Sequence, residues 1–262
     1  YFAFVLRAVG NSILPLIFLA VSIILNIVLD LWFVIGLQLG VGGAAGATVI
    51  AQGVSGIGIT IAALWKNPQL FPKKEQRIFR KTTFSEVGRY AFFTCLQQSV
   101  MNFGILMIQG LVNSFGTAIM AAFAAAVKID TLAYMPVQEF GNAFSLFISQ
   151  NHGAKRPDRV TAGIRTAVRV SILFCVIISA VVWIFARPLM QIFVDAGETT
   201  IIAEGVRYLH IEGAFYWGIG CLFLLYGLYR AIERPAMSLV LTIVSLGTRV
   251  ALAYAFAPHT PL

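Results

Sequence analysis

The sequence is poor in charge and poorest in acid: 262 residues carry 11 Asp and Glu against 19 Lys and Arg, and charged residues make up only 11% of the chain. A solvated globular surface needs about twice that share. Cysteine is equally scarce. Cys95, Cys175 and Cys221 each sit inside an apolar run, with no CxxC pair, which excludes a zinc cluster or a disulfide framework. The three histidines, His152, His210 and His259, are isolated from any serine–acid or cysteine partner, so no hydrolytic triad can be assembled. No basic face is interleaved with stacking aromatics, and a nucleic-acid partner is not expected.

What the chain has in abundance is apolar length. Hydrophobic residues make up 59% and the mean hydropathy is +0.85. Crossing about 30 Å of hydrocarbon takes about 20 helical residues. Seven stretches meet or approach that length, near 13–35, 41–65, 88–112, 117–149, 169–194, 203–229 and 236–257, and the first few residues read as the tail of a further helix. Continuous hydrophobicity of this extent predicts helices, since membrane strands would alternate in shorter segments. The fold class is therefore all-α, a polytopic transmembrane helix bundle.

Orientation follows from the basic residues. Lys66, Lys73, Lys74, Arg77, Arg80 and Lys81 fill the loop after the second span, Lys155, Arg156, Arg159 and Arg165 follow the fourth, and Arg230 and Arg234 follow the sixth. Every second connection is basic, which predicts that segments 66–83, 152–169 and 230–234 are cytoplasmic. The excess of positive charge is then a membrane-topology signal, attracted by the anionic inner leaflet.

Two segments resemble each other. "LRAVGNSILPLIFLAVSIILN" from Leu6 and "YRAIERPAMSLVLTIVSLGTR" from Tyr229 share an Arg-Ala opening, a polar turn containing Pro and an apolar span. Six spans separate them, which suggests two six-helix halves in a longer parent protein. The Gly-rich run "GLQLGVGGAAGATVIAQGVSGIG" lacks the strand before it and the Lys-Ser/Thr after it that a phosphate loop needs. Gly36, Gly40, Gly42 and Gly46 instead have the spacing of small residues that let membrane helices pack closely.

Ionisable groups inside spans cost about 2.5–3.5 kcal/mol each on insertion scales and so tend to face protein or a wet cavity. The span 117–149 is richest in them. At 100° per residue, Asp130, Tyr134 and Gln138 share one face, while Lys128, Thr131, Glu139 and Asn142 share the other. Pro136 removes a backbone donor and is expected to kink this helix. Gln98, Asn102, Gln109 and Asn113 form a polar stripe on the preceding span, and Glu212 lies among aromatics at "HIEGAFYWGIG". Asp130, Glu139 and Glu212 are the candidate cation-coupling or substrate-binding acids, with a sodium ion at Glu139 or Asp130 one reading and a carried proton another. Lys128, Tyr134, Gln98 and Asn102 are candidates beside them. A buried ion pair between Lys128 and Asp130 is the competing structural reading. Phe215, Tyr216, Trp217 and Met135 are candidate lining for a flat organic cation.

"LRAVGNSILP" leading to "NIVLDLWF", then "GVGGAAGATVIAQ", "ISQNHGAKRPDRV" and "YRAIERP", occurring in that order over most of the chain, resemble the multidrug and toxic compound extrusion family. The resemblance implies a twelve-helix antiporter whose two pseudo-symmetric six-helix lobes face each other in a V and which exports organic cations and drugs in exchange for Na+ or H+. It implies that residues 1–83 are the end of the N-terminal lobe (three helices) plus the interlobe loop, and 84–262 the C-terminal lobe without its last helix. The protein is then expected to be a monomer of the plasma (inner) membrane, neither an enzyme nor dependent on a bound cofactor. One branch of the family uses a Glu on its seventh helix, whose place falls at Gln98, and an Asp on its tenth, whose place falls near Ile219, about two turns from Glu212. The first-helix Asp of another branch lies outside this chain. A lipid-linked oligosaccharide flippase of the same superfamily is the alternative, although only Lys128 and Arg249 lie well inside spans as cations for a pyrophosphate. A membrane-embedded enzyme is a further alternative, for which no nucleophile and base cluster.

Overall fold

The computed structural model describes residues 1–68 and 78–257. Lys73, Lys74 and Arg77 of the basic segment 66–83, and His259, lie outside the described residues. The chain divides into two compact units, Tyr1–Arg80 and Lys81–Leu262.

The first unit contains α1 (Phe2–Ala8), α2 (Ile13–Asp30), a π-helical turn over Leu31–Gly36 and α3 (Gly40–Lys66). The helix α2 and its π turn together form one span, and α3 is the next. They pack through small residues. Gly43, Ala47 and Ala51 are buried at four-residue spacing, whereas Gly36, Gly40 and Gly42 are exposed, so the packing stripe lies next to the one expected from the glycines. A side chain at Gly43 would run into Phe33 and Leu39, which explains why that position carries none. Ser22 donates to the Ala51 carbonyl at 3.2 Å and Ser55 to the Phe18 carbonyl at 2.9 Å, stitching the pair together. Leu6, Leu14, Ile59 and Ala63 close the apolar core at one end.

The second unit contains α4 (Lys81–Asn113), α5 (Thr117–Gly153), α6 (Pro157–Gln191), α7 (Thr199–Gly213), α8 (Tyr216–Ala231) and α9 (Pro235–Phe256). The helix α5 is its hub, packed against α6, α7 and α8, while α4 packs chiefly on α9. Close approach of α5 and α8 depends on Gly141 and Gly227. A Cβ on Gly227 would lie 2.6 Å from the Gly141 carbonyl oxygen, and one on Gly141 would lie 3.0 Å from that of Phe223. Backbone therefore touches backbone there, as small-residue contacts in membranes allow.

Six described helices are long and apolar enough to cross a membrane, seven when the bent pair of α7 and α8 is counted as one span. Two expectations change. The segment 203–229 is not one straight span: the helix breaks at Ala214–Phe215 and bends by 53°. The basic stretch 152–169 is mostly the start of α6, because Pro157 at the first helical position presets the backbone and Asp158 suits the helix N-terminus. Helix α5 meanwhile runs through Pro136 unbroken. The break thus falls on the neighbouring span and not at the proline.

The sequence likeness between the two segments extends to backbone geometry. In the first, Gly10 takes a left-handed conformation (φ 90°) and the Asn11 amide donates to the Leu6 carbonyl at 2.9 Å. In the second, Glu233 does the same (φ 64°) and the Arg234 amide donates to the Tyr229 carbonyl at 2.9 Å. A third copy joins α5 to α6, with Lys155 at φ 54° and the Arg156 amide on the Asn151 carbonyl at 3.0 Å. All three are Schellman-type turns, which satisfy carbonyls orphaned at a helix end. Glycine adopts the left-handed form freely; lysine and glutamate lose about 1 kcal/mol by doing so.

Lys155→Gly and Glu233→Gly are each expected to stabilise the protein by about 0.5–1 kcal/mol, read as a raised melting temperature in detergent. Gly227→Ala is expected to destabilise the protein by about 1–3 kcal/mol through overpacking, whereas Gly218→Ala, with nothing within 4 Å of the added carbon, is expected to have little effect.

Candidate functional site

The break between α7 and α8 interrupts hydrogen bonding in mid-span, and its consequences organise the second unit. The Gly213 carbonyl is freed, and Ser179 of α6 donates to it at 2.6 Å. One turn earlier His210 stacks on Trp183, with ring centroids 4.7 Å apart, and its Nε2 meets the Trp183 carbonyl at 3.0 Å. Irregular backbone at membrane depth survives when protein groups re-satisfy it in this way.

The residues flanking the break converge on Asp130. This aspartate projects from α5 into the cluster of Ala126, Ile129, Val137, Leu209 and Tyr216, and it is 3% exposed. Tyr216, the first residue of α8, donates its hydroxyl to Asp130 Oδ1. Oδ2 is buried and has no hydrogen-bond partner. Tyr208 of α7 stands beside both Asp130 and Glu212. Glu212, in the last turn of α7, meets Arg249 of α9, with Oε2 3.5 Å from Nη2. Tyr208 and Glu212 are one turn apart on α7 and share a face, and Tyr216 meets Asp130 from the start of α8, across the bend.

A cavity of about 460 Å³ opens against this cluster. Tyr208 and Arg249 form part of its wall, and Ile108, Val112, Phe123 and Ile211 make it largely apolar. Phe123 and Tyr208 meet edge to face at 5.4 Å. Glu204 and Arg207 also line it, one turn of α7 farther along. Few polar groups in an apolar cavity of this size is the usual composition of a small-molecule site.

The other sequence candidates are dispersed. Lys128 is exposed, with its ammonium 5.7 Å from the centre of the Phe193 ring, and it makes no ion pair with Asp130: two residues apart on a helix, the side chains diverge. Glu139 is exposed and lies nine residues from Asp130, about 14 Å along the axis. It accepts a bond from Asn142 at 3.4 Å, and Asn142 in turn accepts one from Arg230 at 3.1 Å. Tyr134 packs on Phe223, ring centres 6.1 Å apart. Gln98 and Asn102 are exposed, because Gln97, Gly104 and Ile108 are the side of α4 that is buried. Met135, Phe215 and Trp217 are exposed too. Of the sequence candidates, then, Asp130, Glu212 and Tyr216 come together with Arg249. Tyr208 was missed, although its four-residue spacing from Glu212 and Tyr216 signalled it. Among the described residues no group of His, Cys, Asp and Glu is placed to hold a metal in the manner of a zinc or calcium site.

The model of the MatE family matches residues 91–255. A probable multidrug resistance protein, YpnP of Bacillus subtilis, is 30% identical over 242 residues, 92% of this chain and 53% of that protein. Another, NorM of Thermotoga maritima, is 24% identical over 266 residues, covering the whole of this chain and 57% of that protein. Among solved structures, a mutant of the Vibrio cholerae MATE transporter VcmN superposes with a TM-score of 0.89 at 25% identity, covering 98% of this chain and 58% of that one. The chain therefore spans a little over half the length of the proteins it matches.

Tyr216→Phe is expected to remove the hydroxyl that holds Asp130 Oδ1 and to destabilise the full-length protein by about 1–3 kcal/mol. Adding Asp130→Leu should recover part of that loss, since removing both partners costs less than orphaning one. Melting curves of the two variants in detergent check this.

Proposed function

The chain belongs to the MatE family, and from that premise we propose that it forms part of a secondary transporter that expels organic cations and drugs from the cell in exchange for Na+ or H+ by alternating access. The observation that supports this reading best is the Asp130 carboxylate: buried in mid-span, held through one oxygen by Tyr216 and unpartnered at the other. An ion brought by transport is what such an oxygen lacks. Glu212, next to the shared neighbour Tyr208, provides a second carboxylate close to the helix break.

Asp130 and Glu212 then hold a monovalent cation, and Tyr208 and Tyr216 orient the carboxyl groups through their hydroxyls. Phe123 and the aliphatic wall of the adjoining cavity favour a flat, lipophilic cation by apolar contact and cation–π attraction. The inward movement of one charge supplies about 2.3 kcal/mol per 100 mV, to which the concentration gradient adds. Segments 66–83, 152–169 and 230–234 face the cytoplasm in this arrangement, and the protein works as a monomer. The flippase alternative is less well supported, because the two arginines at the cavity, Arg207 and Arg249, stand beside Glu204 and Glu212, and Lys128 is turned to the Phe193 ring.

Cells expressing the full-length protein are expected to lose dye efflux by about ten-fold or more for Asp130→Asn and Glu212→Gln, equivalent to about 1.4 kcal/mol or more of lost binding. Glu139→Gln should stay within about two-fold of wild type, since its carboxylate lies outside the cluster. Wild-type efflux in both cluster variants would remove the site. Sodium and proton gradients imposed separately on vesicles identify the coupling ion; transport indifferent to both would contradict antiport.

A further inference from the structure

The cluster contains two carboxylates and one guanidinium, and that imbalance has a definite geometry. Arg249 lies 3.5 Å from Glu212, a loose approach for an ion pair, and its side chain is 48% exposed where it borders the cavity. Glu212 is partly covered and Asp130 is buried. A pair built only to hold α7 to α9 would be expected to close to direct hydrogen-bond distance and would need no second acid. Here a second acid stands beside the first across Tyr208, with a buried oxygen left unpartnered. The other charges nearby do not alter the count. Glu204 and Arg207 are opposite in sign on the same turn of α7, and Lys128 is turned to Phe193.

We propose that Arg249 is a tethered counter-cation of the Asp130–Glu212 site. It holds the site at one net negative charge, so that one monovalent cation neutralises it, and its guanidinium swings away from Glu212 into the adjoining cavity as that cation binds. Arg249 is thus a specificity-determining residue. It sets the charge of the accepted cargo and keeps a dication or a second cation from being held too tightly to leave. The inference rests on the reading of the cluster as a cation site, and the two fail separately.

The full-length protein in lipid nanodiscs is titrated with tetraphenylphosphonium, a monocation, and methyl viologen, a dication. Arg249→Gln is expected to tighten tetraphenylphosphonium binding by about ten-fold and methyl viologen binding by more, because the site then carries two uncompensated negative charges. Glu212→Gln is expected to weaken binding of both, and Arg249→Gln added to Glu212→Gln to restore the monocation affinity, since one net negative charge returns. Melting curves of each variant separate misfolding from lost affinity. Unchanged or weaker binding by Arg249→Gln, or no rescue in a double variant that melts normally, overturns the counter-cation role while leaving the site in place. Wild-type binding by both Asp130→Asn and Glu212→Gln, or no binding of either probe to the unaltered protein, overturns the site and the inference together.

Discussion

A carboxylate halfway along a membrane helix has to be solvated by the protein itself, and the second unit is arranged around that requirement. Lipid offers no donors, so Asp130 depends on side chains brought to it from other helices. Tyr216, the residue at which a new helix begins after the chain has turned, supplies one such donor. The break creates a polar debt of its own at the Gly213 carbonyl, and Ser179 meets it from α6.

The surroundings of the site are closely packed on one side and border a cavity on the other. Glycine contacts at Gly141 and Gly227 fix α8 against α5 at a distance set by backbone atoms. Buried apolar side chains from α5, α6 and α7 close around the inner side of Asp130. On the other side, α9 contributes Arg249 at the wall of a cavity, and its hold on Glu212 is loose. A packed floor with a charged wall beside a cavity is suited to a ligand that arrives and leaves.

Repetition shows in the turns as well as in the spans. The segments beginning at Leu6 and Tyr229 share residues, a left-handed position and a hydrogen bond, although one uses Gly10 where the other uses Glu233. The chain tolerates a strained glutamate there because the turn satisfies carbonyls that would otherwise be orphaned at the end of a membrane helix.

The amino-acid sequence by itself determined that the chain is helical, how many times it can cross a membrane and roughly where, because hydrophobic length is a local property that any window of residues displays. It also marked Asp130 and Glu212, since an acid in an apolar run is conspicuous without knowledge of its neighbours. Tertiary structure alone decided which polar residues meet. Glu139 and Lys128 looked as suitable as Asp130 in the sequence, yet they turn away from it, since helix rotation is set by packing on other helices. Gln98 lost its place to Gln97 for the same reason, a 100° difference that the face packed on α9 resolved. The break at Ala214–Phe215 carried no proline to announce it, whereas Pro136 did not break its helix. A helix interruption depends on whether neighbours can satisfy the freed backbone groups, and those neighbours are distant in sequence.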